Sequence, residues 1–97
     1  MTKKEKEVFM ETAKDIEFWL AYYEEIYFNG SDEALQENAR ARVDYYAVMR
    51  GLMTELKNDM GIVKSEKDRE EFREAVNVYA DKGISAARRD MSQRKTA

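Results

Sequence analysis

The segment VFMETAKDIEFWLAYYEEIYF, residues 8–28, decides the fold of this chain. Its apolar side chains recur at alternating steps of four and three residues, which is the spacing of one face of an α-helix. The residues on this face are Phe9, Ala13, Ile16, Leu20, Tyr23 and Tyr27. The strict alternation of apolar and polar residues that a half-buried β-strand shows does not fit the segment. We therefore predict that a long helix forms here.

Residues on either side of the segment predict where this first helix begins and ends. Thr2, followed three residues later by Glu5, is a capping-box pattern, in which side chains satisfy the free backbone N–H groups of the first turn. Asn29 and Gly30 both tolerate the left-handed conformation that ends many helices. The first helix should therefore span about residues 3–28.

A second helix is predicted by the same periodicity over about residues 32–60. The run Ser31-Asp32-Glu33 supplies its N-cap and an acidic first turn. Gly61 should end it in a Schellman turn, with Ile62 folding back onto the helix. Gly51 lies inside this helix, where we expect a small residue to let a neighbouring helix approach.

A third helix is predicted over about residues 66–91. Ser65, with Asp68 three residues later, repeats the capping pattern at its start. Gly83 is a point where this helix could bend, and residues 92–97 should form a frayed tail.

The predicted fold is all-α and forms one domain over residues 1–97, because a chain of 97 residues is the size of a single domain. Short turns between long helices favour antiparallel neighbours. We expect an antiparallel up-down-up bundle of three long helices, or a long helical hairpin that carries a third helix.

The composition excludes several kinds of chemistry. The chain has no cysteine and no histidine, which removes disulfides, thiol nucleophiles, Ser-His-Asp catalysis and ordinary zinc sites. Glu70, Glu71 and Glu74 have the Glu-Glu-x-x-Glu spacing seen in the all-α nucleotide pyrophosphohydrolases, which would place magnesium ligands on one helix face, but the second acidic pair that those enzymes need is missing. We therefore expect no enzyme activity, no cofactor and no metal.

The first helix has a wider apolar surface than two neighbouring helices can cover. It holds seven of the eleven aromatic residues, and its large apolar side chains fill an arc of about 200°, against the ~100° stripe usual for a surface helix. Tyrosines at the edge of a bundle with solvated hydroxyls are the alternative explanation. We favour burial between chains, most simply in a two-fold homodimer. The predicted partner-binding residues are Trp19, Tyr22, Tyr23, Ile26 and Phe28.

The sequence thus predicts a non-enzymatic protein–protein interaction or regulatory module that buries an aromatic helix face. Acidic residues beside this face should orient the partner by charge, and they are Asp15, Glu17, Glu24 and Glu25. One alternative is a small acidic inhibitor, of the kind that mobile elements encode, which blocks a nucleic-acid-processing enzyme.

Nucleic-acid binding by the basic C-terminal segment is a further alternative. Its contacts would come from Arg88, Arg89, Arg94 and Lys95. The net charge of −3 weighs against it, because nucleic-acid-binding domains are usually basic. Lysine and arginine near the end of a helix also complement the helix dipole without any ligand. No apolar run approaches the roughly 20 residues of a membrane span, and we expect a cytoplasmic protein.

Overall fold

The computed structural model describes residues 2–96, and side-chain environments for residues 2–94. Over this range the chain forms three α-helices and no β-strand: α1 (Lys3–Asn29), α2 (Glu33–Asp59) and α3 (Glu66–Thr96). The all-helical fold class predicted from the sequence is confirmed. Among the residues searched, no helix is both long enough and apolar enough to span a bilayer.

A side-chain cap marks the start of each helix. The Thr2 hydroxyl accepts a hydrogen bond from the backbone N–H of Glu5 at 3.1 Å. The Asp32 carboxylate accepts from two backbone N–H groups in the first turn of α2. The Ser65 hydroxyl accepts from the N–H of Asp68 at 3.1 Å. Since the first N–H groups of a helix have no partner within the helix, these caps explain why the helices begin where they do.

The end of α2 is the Schellman turn that the sequence predicts. Gly61 has a φ of +63°, which is the left-handed region that glycine enters most easily. Its N–H donates to the carbonyl oxygen of Asn58, and the N–H of Ile62 donates to that of Lys57. The Ile62 side chain is buried.

The end of α1 differs from the prediction. Gly30 has an extended backbone, with a φ of −71°, and Asn29 still belongs to the helix. The reason for glycine here is space, because a Cβ at Gly30 would lie 2.5 Å from the carbonyl oxygen of Ile26.

Helix α1 lies between the other two helices. Its contacts with α2 pair residues in opposite chain order, as in Glu17 with Arg50 and Tyr23 with Tyr46. Within the described residues, no Cα atom of α2 comes within 8 Å of one of α3. The backbones of α2 and α3 therefore pack against α1 and not against each other.

Contacts between α1 and α3 pair residues in the same chain order, and the two backbones meet at Gly83. Phe9 contacts Phe72 near the start of both helices, with ring centroids 6.3 Å apart. A Cβ at Gly83 would lie 2.2 Å from the carbonyl oxygen of Phe18. The close approach expected at Gly51 is wrong, because no atom of another helix lies within 4 Å of its Cβ position.

Helix α3 runs through Gly83 and continues to Thr96, past its predicted end at about residue 91. The predicted frayed tail at 92–97 is therefore helical as far as Thr96, and Ala97 lies outside the described residues.

The core follows the buried side of α1. Its members are Phe9, Ala13, Ile16, Leu20 and Ile26 of α1 together with Ala39, Ile62, Val76 and Ala87. Ile26, Ala39 and Ala87 form one cluster in which all three helices take part. The small alanine side chains on α2 and α3 leave room for the larger one from α1.

Candidate protein-binding surface

The structure separates the predicted partner-binding residues of α1. Trp19 is 39% exposed and Phe28 is 69% exposed, so both are accessible to a partner. Tyr22 and Tyr23 are half-buried between helices. Ile26 is only 6% exposed, because it packs against alanines of α2 and α3 in the core cluster. Ile26 therefore has little free surface for the anchor role that the sequence predicts.

Most of the aromatic surface of α1 is used inside the chain. The Tyr23 ring stacks on Tyr46 of α2, with centroids 6.0 Å apart and the rings inclined by 11°. Trp19 contacts Tyr23 with centroids 6.0 Å apart, and Tyr45 contacts Tyr46 at 5.1 Å. These contacts connect an exposed ring on α1 to an exposed ring on α2. Contacts with α2 therefore cover part of the apolar surface that the sequence predicts to be in excess on α1.

Tyr22 joins α1 to α3. Its hydroxyl donates a hydrogen bond to the Asp90 carboxylate at 2.6 Å. Burial, together with this hydrogen bond, raises the pKa of Tyr22 to about 12. The short contact to a charged acceptor and the raised pKa both indicate that the folded chain holds the phenol in its neutral form.

Two of the acidic residues predicted to orient a partner are instead ion-paired within the chain. Glu25 accepts a hydrogen bond from Arg88 at 2.9 Å, and Glu17 lies 3.9 Å from Arg50. Burial raises the pKa of Glu17, and the nearby Arg50 partly opposes that shift. Asp15 is exposed and Glu24 is half-buried. The acidic edge of α1 therefore has less free charge than the sequence suggests.

The largest exposed apolar row lies on α2, which the sequence reasoning did not select. Its members are Tyr45, Val48, Leu52, Leu56 and Met60, each at least 43% exposed. Steps of three and four residues place them on one face of the helix. We call this set the α2 row. Large apolar side chains in a continuous exposed row are unusual on a monomer.

A signal for this row was present in the sequence. The helical periodicity that predicts α2 includes Met49, Leu56 and Met60 on one face, and Tyr45, Val48 and Leu52 extend that face sideways. The apolar arc of α2 is therefore as wide as that of α1. Periodicity alone does not tell which part of a wide arc a neighbouring helix will cover.

An open groove adjoins one end of the α2 row. It has a volume of about 560 Å³ and lies between the start of α1 and the end of α2. Val8, Met53 and Met60 contribute to its largely apolar lining, and Val8 is itself exposed. Because Met60 belongs to both the groove and the α2 row, the two form one continuous apolar surface.

The basic C-terminal residues with described side chains have different surroundings. Arg88 is paired with Glu25, while Arg89 and Arg94 are exposed. Arg94 lies near Tyr22 and lines a second groove beside the turn between α1 and α2. The predicted contact at Lys95 lies outside the described side chains.

In the part of the chain that the structure describes, no three acidic side chains come close enough together to hold a metal ion. No protein-family model, no curated protein and no solved structure matches this chain. The case for function therefore depends on the surface just described.

Proposed function

We propose that this chain is a non-enzymatic interaction module that works by burying an apolar helix face against another protein chain. The observation that carries the proposal is the α2 row, in which five large apolar side chains in succession are exposed to solvent. Apolar surface of this kind gains free energy when a partner removes it from water. Trp19 and Phe28 remain accessory contacts on α1.

The arrangement of helices that supports this proposal is an up-down-up bundle with α1 in the middle. Contacts between α1 and α2 pair residues in opposite chain order, which supports antiparallel directions for these two helices. Contacts between α1 and α3 pair residues in the same order, which supports parallel directions. In this arrangement α3 lies against α1, and among the described residues no other helix packs on the outer face of α2. A closed three-helix bundle would have buried more of that face.

A second copy of the chain is the partner that the sequence predicts, and a two-fold dimer would bury the same row on both subunits. A small domain buries only about 60% of the surface of its unfolded chain, so dimerisation would also stabilise it. In the alternative in which the chain is a small acidic inhibitor, it would also act by binding another protein, and it would bind in the basic groove of a nucleic-acid-processing enzyme. Nucleic-acid binding has less support, since Arg88 is already paired and the net charge is −3.

The test is a photo-crosslinking amino acid placed at Leu52, in cells that produce the chain. Val78 on α3 is the matched control site, because it is also apolar and is 52% exposed. We expect one defined adduct from position 52 and none from position 78. An adduct of twice the chain mass identifies self-association, and any other defined mass identifies a different protein. No adduct at position 52, or equal labelling at both sites, would overturn the proposal.

A further inference from the structure

One edge of the α2 row is acidic. The residues at this edge are Glu37, Asp44, Glu55 and Asp59. At about 100° per residue they fall within an arc of roughly 60° that overlaps the position of Val48. All four are exposed, and within the described part of the chain none of them forms an ion pair or a hydrogen bond. Their charges are therefore available to a partner.

The opposite edge of the row has a different character. Met49 and Met53 lie there, and the apolar groove continues the surface towards Val8. Arg42 is the basic residue at this edge, near the beginning of the row. A partner on the α2 row therefore meets carboxylates on one side and flexible apolar side chains on the other.

We infer that the occupant of the α2 row is an amphipathic helix of another protein that has lysine or arginine residues along one edge of its apolar stripe. This inference depends on the proposed function and adds the chemistry of the partner to it. The basic edge would lie against Asp44, Glu55 and Asp59, where opposite charges favour association and speed the encounter. The apolar stripe would cover the row itself.

The dimensions of the surface define the length of this partner helix. From Tyr45 to Met60 the row extends for roughly 22 Å at 1.5 Å per residue, which matches about four turns of a helix. A bulky apolar side chain near one end of the partner would enter the groove beside Met60. Methionine side chains such as Met53 adapt their shape to different apolar groups.

The same charges disfavour a second copy of the chain as the occupant. In an antiparallel pair of α2 helices the acidic edges would face each other, bringing Asp44 close to the level of Asp59 in the other copy. Like charges in such positions repel. In a parallel pair each acidic edge would face the edge that holds Met49 and Met53, where Arg42 is the one basic residue, so Glu55 and Asp59 would meet no compensating charge.

The test uses two synthetic amphipathic helices of about 18 residues with the same leucine stripe. One has lysines along one edge of the stripe, and the other has glutamates at the same positions. Binding to the full chain is measured by fluorescence anisotropy at low and at high salt. We expect the lysine peptide to bind roughly tenfold more tightly at low salt, since each exposed ion pair adds a little affinity. The difference should shrink at high salt because salt screens exposed charges.

Variants of the chain test which of its residues bind the peptides. Leu52→Arg should abolish binding of the lysine peptide, whereas Val78→Arg, the control on α3, should leave it unchanged. The double change Asp44→Lys with Glu55→Lys should reverse the preference towards the glutamate peptide. Circular dichroism of each variant confirms that the helices are intact.

Each possible result either supports or overturns the inferred chemistry of the partner helix. Preference for the lysine peptide that is lost in Leu52→Arg and reversed in the charge-swap variant supports it. Equal binding of the two peptides, no binding of either, or self-association through Leu52 overturns it. Self-association through Leu52, seen as a doubled mass in light scattering, would still leave the proposed function standing. The two proposals can therefore fail separately.

Discussion

The contact between α1 and α3 at Gly83 predicts that adding a single methyl group there will destabilise the fold. In Gly83→Ala the new Cβ would lie 2.2 Å from the carbonyl oxygen of Phe18 and 3.2 Å from the backbone nitrogen of Tyr22. Both atoms belong to the backbone of α1, so no rotation of a side chain can relieve the overlap. The two helices must move apart.

Two opposing terms set the size of this effect. Alanine in a helix interior is more favourable than glycine by about 1 kcal/mol. Overpacking of a closely packed contact costs about 1–3 kcal/mol, and a backbone-to-backbone overlap belongs at the upper end of that range. Separation of α1 and α3 would also loosen the contact between Ile26 and Ala87. We therefore expect Gly83→Ala to lower the free energy of unfolding by about 1–2 kcal/mol.

Gly51→Ala is the matched control, because Gly51 is also a helical glycine but no atom of another helix lies within 4 Å of its Cβ position. There only the helix-propensity term remains, and we expect a gain of about 0.5–1 kcal/mol. The two glycine-to-alanine changes should thus have opposite signs.

The assay is urea and thermal unfolding of both variants, followed by circular dichroism at 222 nm. For a domain of this size 1 kcal/mol corresponds to about 4–8 °C in Tm. The midpoint should fall for Gly83→Ala and rise for Gly51→Ala. If Gly83→Ala stabilises the chain as much as Gly51→Ala does, then α1 and α3 do not approach each other at this position and the described packing is wrong.

Two further predictions concern the interior of the fold. Tyr22→Phe removes the hydrogen bond to Asp90 and should destabilise the chain at pH 8. Because folding raises the Tyr22 pKa from 10.0 to about 12, the stability advantage of the wild type is complete below pH 10 and is lost as the pH rises towards 12. Urea unfolding should therefore show a smaller difference between wild type and variant at pH 11 than at pH 8. A difference that grows with pH would contradict this sign. Ile26→Ala should lower the unfolding free energy by about 2–4 kcal/mol, since it empties the core cluster, whereas Phe28→Ala should change it by less than about 0.5 kcal/mol. Equal thermal shifts for these two variants would mean that Ile26 is a surface residue after all.

The starts of the three helices and the end of α2 could be predicted because their causes are local. A cap such as Ser65 and a turn such as Gly61 satisfy backbone groups only a few residues away, so a short stretch of sequence contains all the necessary information. The prediction of a close helix approach at Gly51, which was wrong, depended on more distant atoms. Whether Gly51 or Gly83 allows helices to meet depends on which faces pair, and the four residues on either side of a glycine do not contain that information.

For the candidate protein-binding surface, too, the sequence contains only part of the necessary information. The sequence predicts that α1 has more apolar circumference than its neighbours can cover, but α1 and α2 both have wide apolar arcs, and the larger exposed apolar row lies on α2. In the folded chain α1 lies in the middle, so Ile26 is buried and Tyr23 stacks on Tyr46, while Val48 on the outer face of α2 is 64% exposed.

The sequence by itself determined the three helices, their caps and the absence of thiol and imidazole chemistry. These properties follow from residue types and from hydrogen bonds within single turns of helix. Only the tertiary structure decided which apolar arc remains uncovered and which acidic side chains remain unpaired. Those properties depend on contacts between residues far apart in the chain, such as Phe18 with Gly83 and Glu25 with Arg88, and each such pairing removes surface or charge that would otherwise face solvent.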